Sequence, residues 1–138
     1  MVLSRDMAAG GLCPAVDPLA ASPTLEDPAV IGQRHQDKAE EVRRLIAPYR
    51  DLRQIILLMG MEAQSAADRK AARLARFLAQ PFAVTGQVNG QKGVSVAPDD
   101  VLEGCEAILG GETDAWQESA LWMVGTIDDA RAGEKAGA

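Results

Sequence analysis

Residues 49–82 read YRDLRQIILLMGMEAQSAADRKAARLARFLAQPF, two helical patterns joined by a short polar turn. The first closes on the apolar run 55–59, and Gly60 follows where a helix stops, because glycine enters the left-handed region without a Cβ clash. Ser65 with Asp68 three residues on reads as a capped helix start, and Pro81 as the end of that helix. The stretch predicts a helical hairpin with a polar tip, and nothing in it looks catalytic.

Working outward, Ala39, Val42, Leu45, Ile46, Tyr49, Leu52, Ile55, Ile56 and Met59 recur at steps of three and four. That spacing draws one apolar stripe along a helix over 36–59. Pro48 interrupts it, so a kink or two abutting helices are expected there. Arg43, Arg44, Arg50 and Arg53 lie mostly off the stripe and read as a solvated face rather than an anion site. The helix over 66–80 is rich in alanine, with Leu74, Phe77 and Leu78 as its larger apolar groups.

Phe82, Val84 and residues 94–96 suggest two short strands around the loop 86–93. That loop holds Lys92 and three glycines, but the order of residues is not that of a phosphate loop, so it reads as a flexible connection. Pro98, Asp99 and Asp100 open another helix, with acids where the helix dipole favours them. Val101, Leu102, Cys105, Ile108 and Leu109 share one face of it, and Gly110-Gly111 ends it. Asp114 with Gln117 is expected to cap a further segment carrying Trp116, Leu121, Met123 and Val124 to Gly125, and Thr126 to open a last short helix. Upstream, residues 2–9 allow a short helix at most. Pro14, Pro18, Pro23 and Pro28 make the stretch 12–32 an extended crossing segment.

The chain has 138 residues, enough for one core, and 47% of them are hydrophobic. Aromatics are only 4%, so that core is built from Ala, Leu, Ile and Val. A net charge of −6 argues against a nucleic-acid face, and no apolar run approaches the length of a membrane span. Cys13 and Cys105 are too few for a disulfide framework and, with His35, lack metal-ligand spacing. They read as packing thiols of an intracellular chain. The acid pairs Asp99/Asp100 and Asp128/Asp129 sit at helix starts, where capping explains them, and Glu103 and Glu106 are expected to face solvent. A serine nucleophile would need a base, and His35 has no reason to meet one. The residues on their own imply a mainly helical, acidic domain that packs or docks.

Several ordered motifs then point to one family. Leu3-Ser4-Arg5, Pro14-Ala-Val-Asp17-Pro18-Leu19, Asp27-Pro28 and Gly32 resemble the segment leaving the nucleotide-binding domain in the β subunit of F-type ATP synthases. Gln54-Ile-Ile, Gly60-Met61, Arg76-Phe77-Leu78, Gln80-Pro81-Phe82, Ile108-Leu109 and Met123-Val124-Gly125 resemble that subunit's C-terminal helical domain. Gly111-Glu-Thr-Asp114 with Trp116 and Glu118-Ser119 looks closest to the bacterial N-type variant. The resemblance implies a mainly α fold: residues 1–32 as the end of the nucleotide-binding domain and the crossing segment, and 33–138 as the C-terminal helical bundle.

It also implies what these residues lack. The family's P-loop, its Mg²⁺-binding acid and its catalytic glutamate all precede this region, so no catalytic or metal-ligating residue is expected here. ATP or ADP with Mg²⁺ would belong to the complete subunit only. Of the aromatic positions that stack on adenine in the family, Phe82 is kept, while Cys13 and Val88 stand where the family has aromatics. Each lost stacking surface costs about 1 kcal/mol, so weakened adenine binding is expected. The family's acidic rotor-contacting tip corresponds to residues 62–68, where Glu62, Ser65 and Asp68 remain and three inner acids are replaced. The cap should survive and the long-range attraction to a basic rotor should fall.

Between Asp68 and Phe77 the chain is expected to be four residues shorter than the family pattern, close to one helical turn or ~6 Å. The implied partners are the α subunits and the central rotor γ subunit, with neither nucleic acid nor membrane insertion. The implied location is cytoplasmic, peripheral to the bacterial inner membrane in the F1 sector. The function expected is that of a partial β subunit, contributing through those contacts to ATP synthesis or hydrolysis coupled to cation transport. A free-standing diverged helical interaction module is the alternative, and a hydrolase using His35 a weaker one.

Overall fold

A computed structural model of the chain describes residues 2–9, 15–20, 28–59, 64–80 and 93–137, with backbone alone for 28, 51–59 and 136–137. In chain order its helices are α1 (Arg5–Ala9), α2 (Pro28–Ile31), α3 (Gln33–Met59), α4 (Ala66–Phe77), α5 (Pro98–Gly110), a 3₁₀ turn (Glu118–Leu121) and α6 (Ile127–Gly137). The fold is mainly helical, as expected. Among the described residues the single β contact is an isolated antiparallel bridge between Leu3 and Val16.

The core follows the stripe. Val42 and Ile46 of α3, Leu74 and Phe77 of α4, Cys105 and Ile108 of α5, Leu121, and Ile127 and Ala130 of α6 form one buried cluster. Helix α3 lies along α4, α5 packs against both, and α6 rests on α5 and the 3₁₀ turn. Closest approach occurs where Phe77 lies over Gly104: a Cβ on Gly104 would stand 2.1 Å from the ring's Cζ. Burial pushes the Cys105 thiol up to about 11, so that cysteine is a packing residue. Cys13 lies outside the described residues.

Several expectations need correction. Helix α3 runs through Pro48 as one element, not as two abutting helices. Pro48 is exposed on it. Residues 93–97 form no strand: they are irregular, and Ala97 turns them into the N-terminus of α5. The companion residues Phe82 and Val84 lie outside the described residues. The segment expected from Asp114 to Gly125 is not one capped helix but a turn, a 3₁₀ turn and an irregular stretch. Gln117 makes no side-chain cap, and Met123 (φ 57°) and Gly125 (φ 89°) hold backbone angles that a right-handed helix does not contain.

Glu106 does not simply face solvent. It accepts a two-pronged bond from Arg34, Nε to Oε1 at 2.9 Å and Nη2 to Oε2 at 2.6 Å, which ties the start of α3 to α5. The N-terminal segment is also tied down. Ser4 donates to the Ala15 carbonyl and Asp17 to that of Val2. The Asp17 carboxylate accepts from the Leu19 and Ala20 amides and stands 4.0 Å from Arg50 of α3.

Candidate functional site

The sequence singled out the turn before α4, and there the structure describes Ser65 and Asp68. Ser65 is the N-cap: its Oγ accepts the Asp68 amide at 3.2 Å and donates to Asp68 Oδ2 at 2.6 Å. The Ser65 amide donates to the same carboxylate oxygen at 2.9 Å, which completes a reciprocal capping box. Asp68 therefore spends its charge on the helix end. Arg69 follows immediately, exposed, and donates to the Gln64 carbonyl. Among the described residues, α4 presents at this end a capped tip on which Asp68 and Arg69 balance in charge. Glu62 lies outside the described residues, as do all three adenine-pocket positions, Cys13, Phe82 and Val88.

Behind the tip, α4 carries two cations that sequence reasoning passed over. Lys70 Nζ donates to the Leu109 carbonyl at 2.9 Å, at the C-terminal end of α5. Arg73 is only 6% exposed, and its Nη2 donates to the carbonyls of Asp114 (3.0 Å) and Trp116 (3.3 Å). Its Nη1 stands 3.8 Å from the Asp114 carboxylate. Two positive groups thus meet the carbonyl-rich end of α5 and the turn that follows, where a helix dipole favours cations. The signal was present in the spacing: 70, 73, 74 and 77 share the α4 face that carries Leu74 and Phe77 into the core.

At the other end of α4, the Gln80 amide donates to the Phe77 carbonyl at 2.8 Å and to the Gly125 carbonyl at 3.0 Å. It joins the helix end to the strained turn around Met123. Thr126 and Asp129 repeat the capping box at the start of α6, and the bonds from Thr126 hold the Asp129 carboxyl below its ordinary range. Arg131 of α6 holds Glu112 through Nε at 2.7 Å and Nη2 at 2.9 Å, and Asp128 at 2.6 Å.

Among the described residues no serine hydrogen-bonds His35, which sits half-buried in the first turn of α3. Among them there is also no group of three potential metal ligands, and no helix long and apolar enough to cross a membrane. The architecture is a helical bundle with a capped tip, held in register by polar bonds.

Comparison with known proteins shows what this bundle is similar to. The chain is 54% identical to ATP synthase subunit beta 1 of Paraburkholderia xenovorans, over all of this chain and 29% of that protein. The chain is similar to a C-terminal portion of ATP synthase beta subunits. It is likewise 53% identical to ATP synthase subunit beta 2 of Burkholderia thailandensis and of Burkholderia pseudomallei, over 99% of this chain and 27% and 26% of those proteins. The matched part is a C-terminal portion, and the chain spans less than a third of the length of these curated relatives. No family model matches the chain.

Proposed function

We propose that this chain acts as the C-terminal helical part of an ATP synthase beta subunit, working through contacts with neighbouring α subunits and a central rotor and not through phosphoryl transfer of its own. The observation that carries this is the end-to-end similarity to the beta-subunit relatives, together with a bundle whose most specific local structure is the capped tip at Ser65 and Asp68. In this reading residues 1–32 close the nucleotide-binding domain and 33–138 form the C-terminal domain, peripheral to the bacterial inner membrane. The pattern Gly111-Glu-Thr-Asp114, Trp116, Glu118-Ser119 supports assignment to the N-type variant.

Two departures define how this copy would differ. The tip keeps its cap but, over 62–68, only Glu62 and Asp68 as acids, and Asp68 is engaged in the cap. Attraction to a basic rotor surface is therefore weaker than in a beta subunit with a fully acidic tip. Phe82 is the one aromatic left to stack on adenine, so ATP or ADP with Mg²⁺, held by the complete subunit, binds less tightly through this region.

Grafting these 138 residues onto the preceding portion of the Paraburkholderia relative, and co-expressing the graft with that organism's α and rotor subunits, tests the reading. A cysteine in place of Ala67 should cross-link to the rotor subunit, and ADP should bind the assembled graft about thirtyfold more weakly than the parent. That factor is what ~2 kcal/mol of stacking, lost over two positions, gives. A complex in which Ala67→Cys cross-links to nothing, or which holds ADP as tightly as the parent, would count against it.

A further inference from the structure

Much of helix α4 meets its neighbours through small side chains. Five of its twelve residues are alanine, at 66, 67, 71, 72 and 75, and small side chains leave shallow ridges that interlock weakly with a neighbouring helix. Phe77 over Gly104, Arg76 Nε 3.1 Å from the Glu118 carboxylate and Gln80 on the Gly125 carbonyl secure the far end. Nearer the tip, the directional contacts to the rest of the bundle are polar: Lys70 on the Leu109 carbonyl and, more deeply buried, Arg73 on the carbonyls of Asp114 and Trp116.

The two differ in kind. An ammonium turns freely on its stem, whereas a guanidinium presents its donors in a fixed plane, so one Nη bridging two carbonyls defines a position. Arg73 Nε is buried without a partner, and Thr113, within that turn, is fully buried. Sliding α4 by one turn would strand a buried cation away from its acceptors, which is strongly unfavourable.

We propose that Arg73 is the positioning residue that sets the axial register of α4 against the 111–117 turn, and so fixes where the Ser65–Asp68 tip stands. Arg73 lies eight residues from Ser65, about 12 Å along the helix at 1.5 Å per residue. Whatever displaces the 111–117 turn displaces the tip with it. The functional weight of this rests on the tip's being a docking surface; the mechanical statement does not.

The test is a distance measurement by pulsed electron spin resonance on the full 138-residue chain. Spin labels are attached through non-natural amino acids at Ala67, on the exposed face of the tip, and Ala115, exposed on the turn. Wild type should give one narrow distribution. Arg73→Met should keep its far-ultraviolet helix signal while the distribution shifts or widens by about 5 Å, the pitch of one turn. Arg73→Lys should keep the wild-type mean with intermediate width, because a donor remains. A folded Arg73→Met with the wild-type distribution overturns the proposal. If Arg73→Met does not fold, Arg73→Lys decides: a broadened distribution supports it, and one as narrow as wild type overturns it. No partner enters this measurement, so failure of the tip to meet a rotor leaves its result unaffected, and the reverse holds too.

Discussion

Phe77 and Gly104 carry the tightest contact in the core, and the two residues fail differently. A methyl on Gly104 would stand 2.1 Å from Cζ and 2.3 Å from Cε1 of a ring that is itself fully buried. Neither can step aside, so Gly104→Ala should destabilise the chain by about 1–3 kcal/mol, read as a lower urea midpoint at unchanged slope. Gly110→Ala, with nothing near its missing Cβ, is the control and should move the midpoint little. Cys105, whose thiol burial raises, should resist a thiol reagent at neutral pH in the folded chain and react once urea unfolds it. Its role was legible in the sequence, since it falls in step with Leu102, Ile108 and Leu109. Arg73 was not. A charged residue on an apolar face reads as solvated until the carbonyls that receive it are known, and those come from a turn some forty residues away.

Elements begin and end where the sequence says they should, when one residue decides the matter. Ser65 with Asp68, Pro98 and Gly111 are such cases, and so is Thr126 with Asp129. Each cap satisfies amides that otherwise have no partner, so Ser65→Ala and Thr126→Ala should each cost about 1 kcal/mol in denaturant unfolding. The stretch 114–125 was misread because its conformation depends on contacts from elsewhere: Arg73 holds its first carbonyls and Gln80 the carbonyl of Gly125. Asp114 also faces that guanidinium and is not free to cap a helix.

Ionic links between elements set a pH dependence. Arg34 lowers the Glu106 carboxyl, Arg131 lowers that of Glu112, and the Thr126 bonds lower that of Asp129. In each case the folded value lies below the unfolded one. The stabilisation is therefore complete above the ordinary carboxylate range and is lost as pH falls through the lowered values. The urea midpoint should decline from about pH 5 downward, and less steeply in an Arg34→Met, Arg131→Met double variant. A midpoint that rises on acidification would contradict these assignments.

At the scale of the whole molecule, the resemblance was legible in the sequence, because motifs spread from Leu3 to Gly125 keep their order, and the beta-subunit relatives are similar along all of the chain. Helix positions could be read as well, since apolar spacing and caps are local. Contacts to a nucleotide or rotor were not legible, for a physical reason: in the proposed role those surfaces would be completed by other polypeptides. The account's central claim is that this bundle is a working part of a beta subunit that has kept its assembly surfaces while its tip and adenine positions have changed. Native mass spectrometry of the Paraburkholderia graft, co-expressed with α and rotor subunits, tests that claim most directly. The account predicts a complex with the mass and stoichiometry of the parent assembly; a graft that folds but stays apart from the α subunits would contradict it.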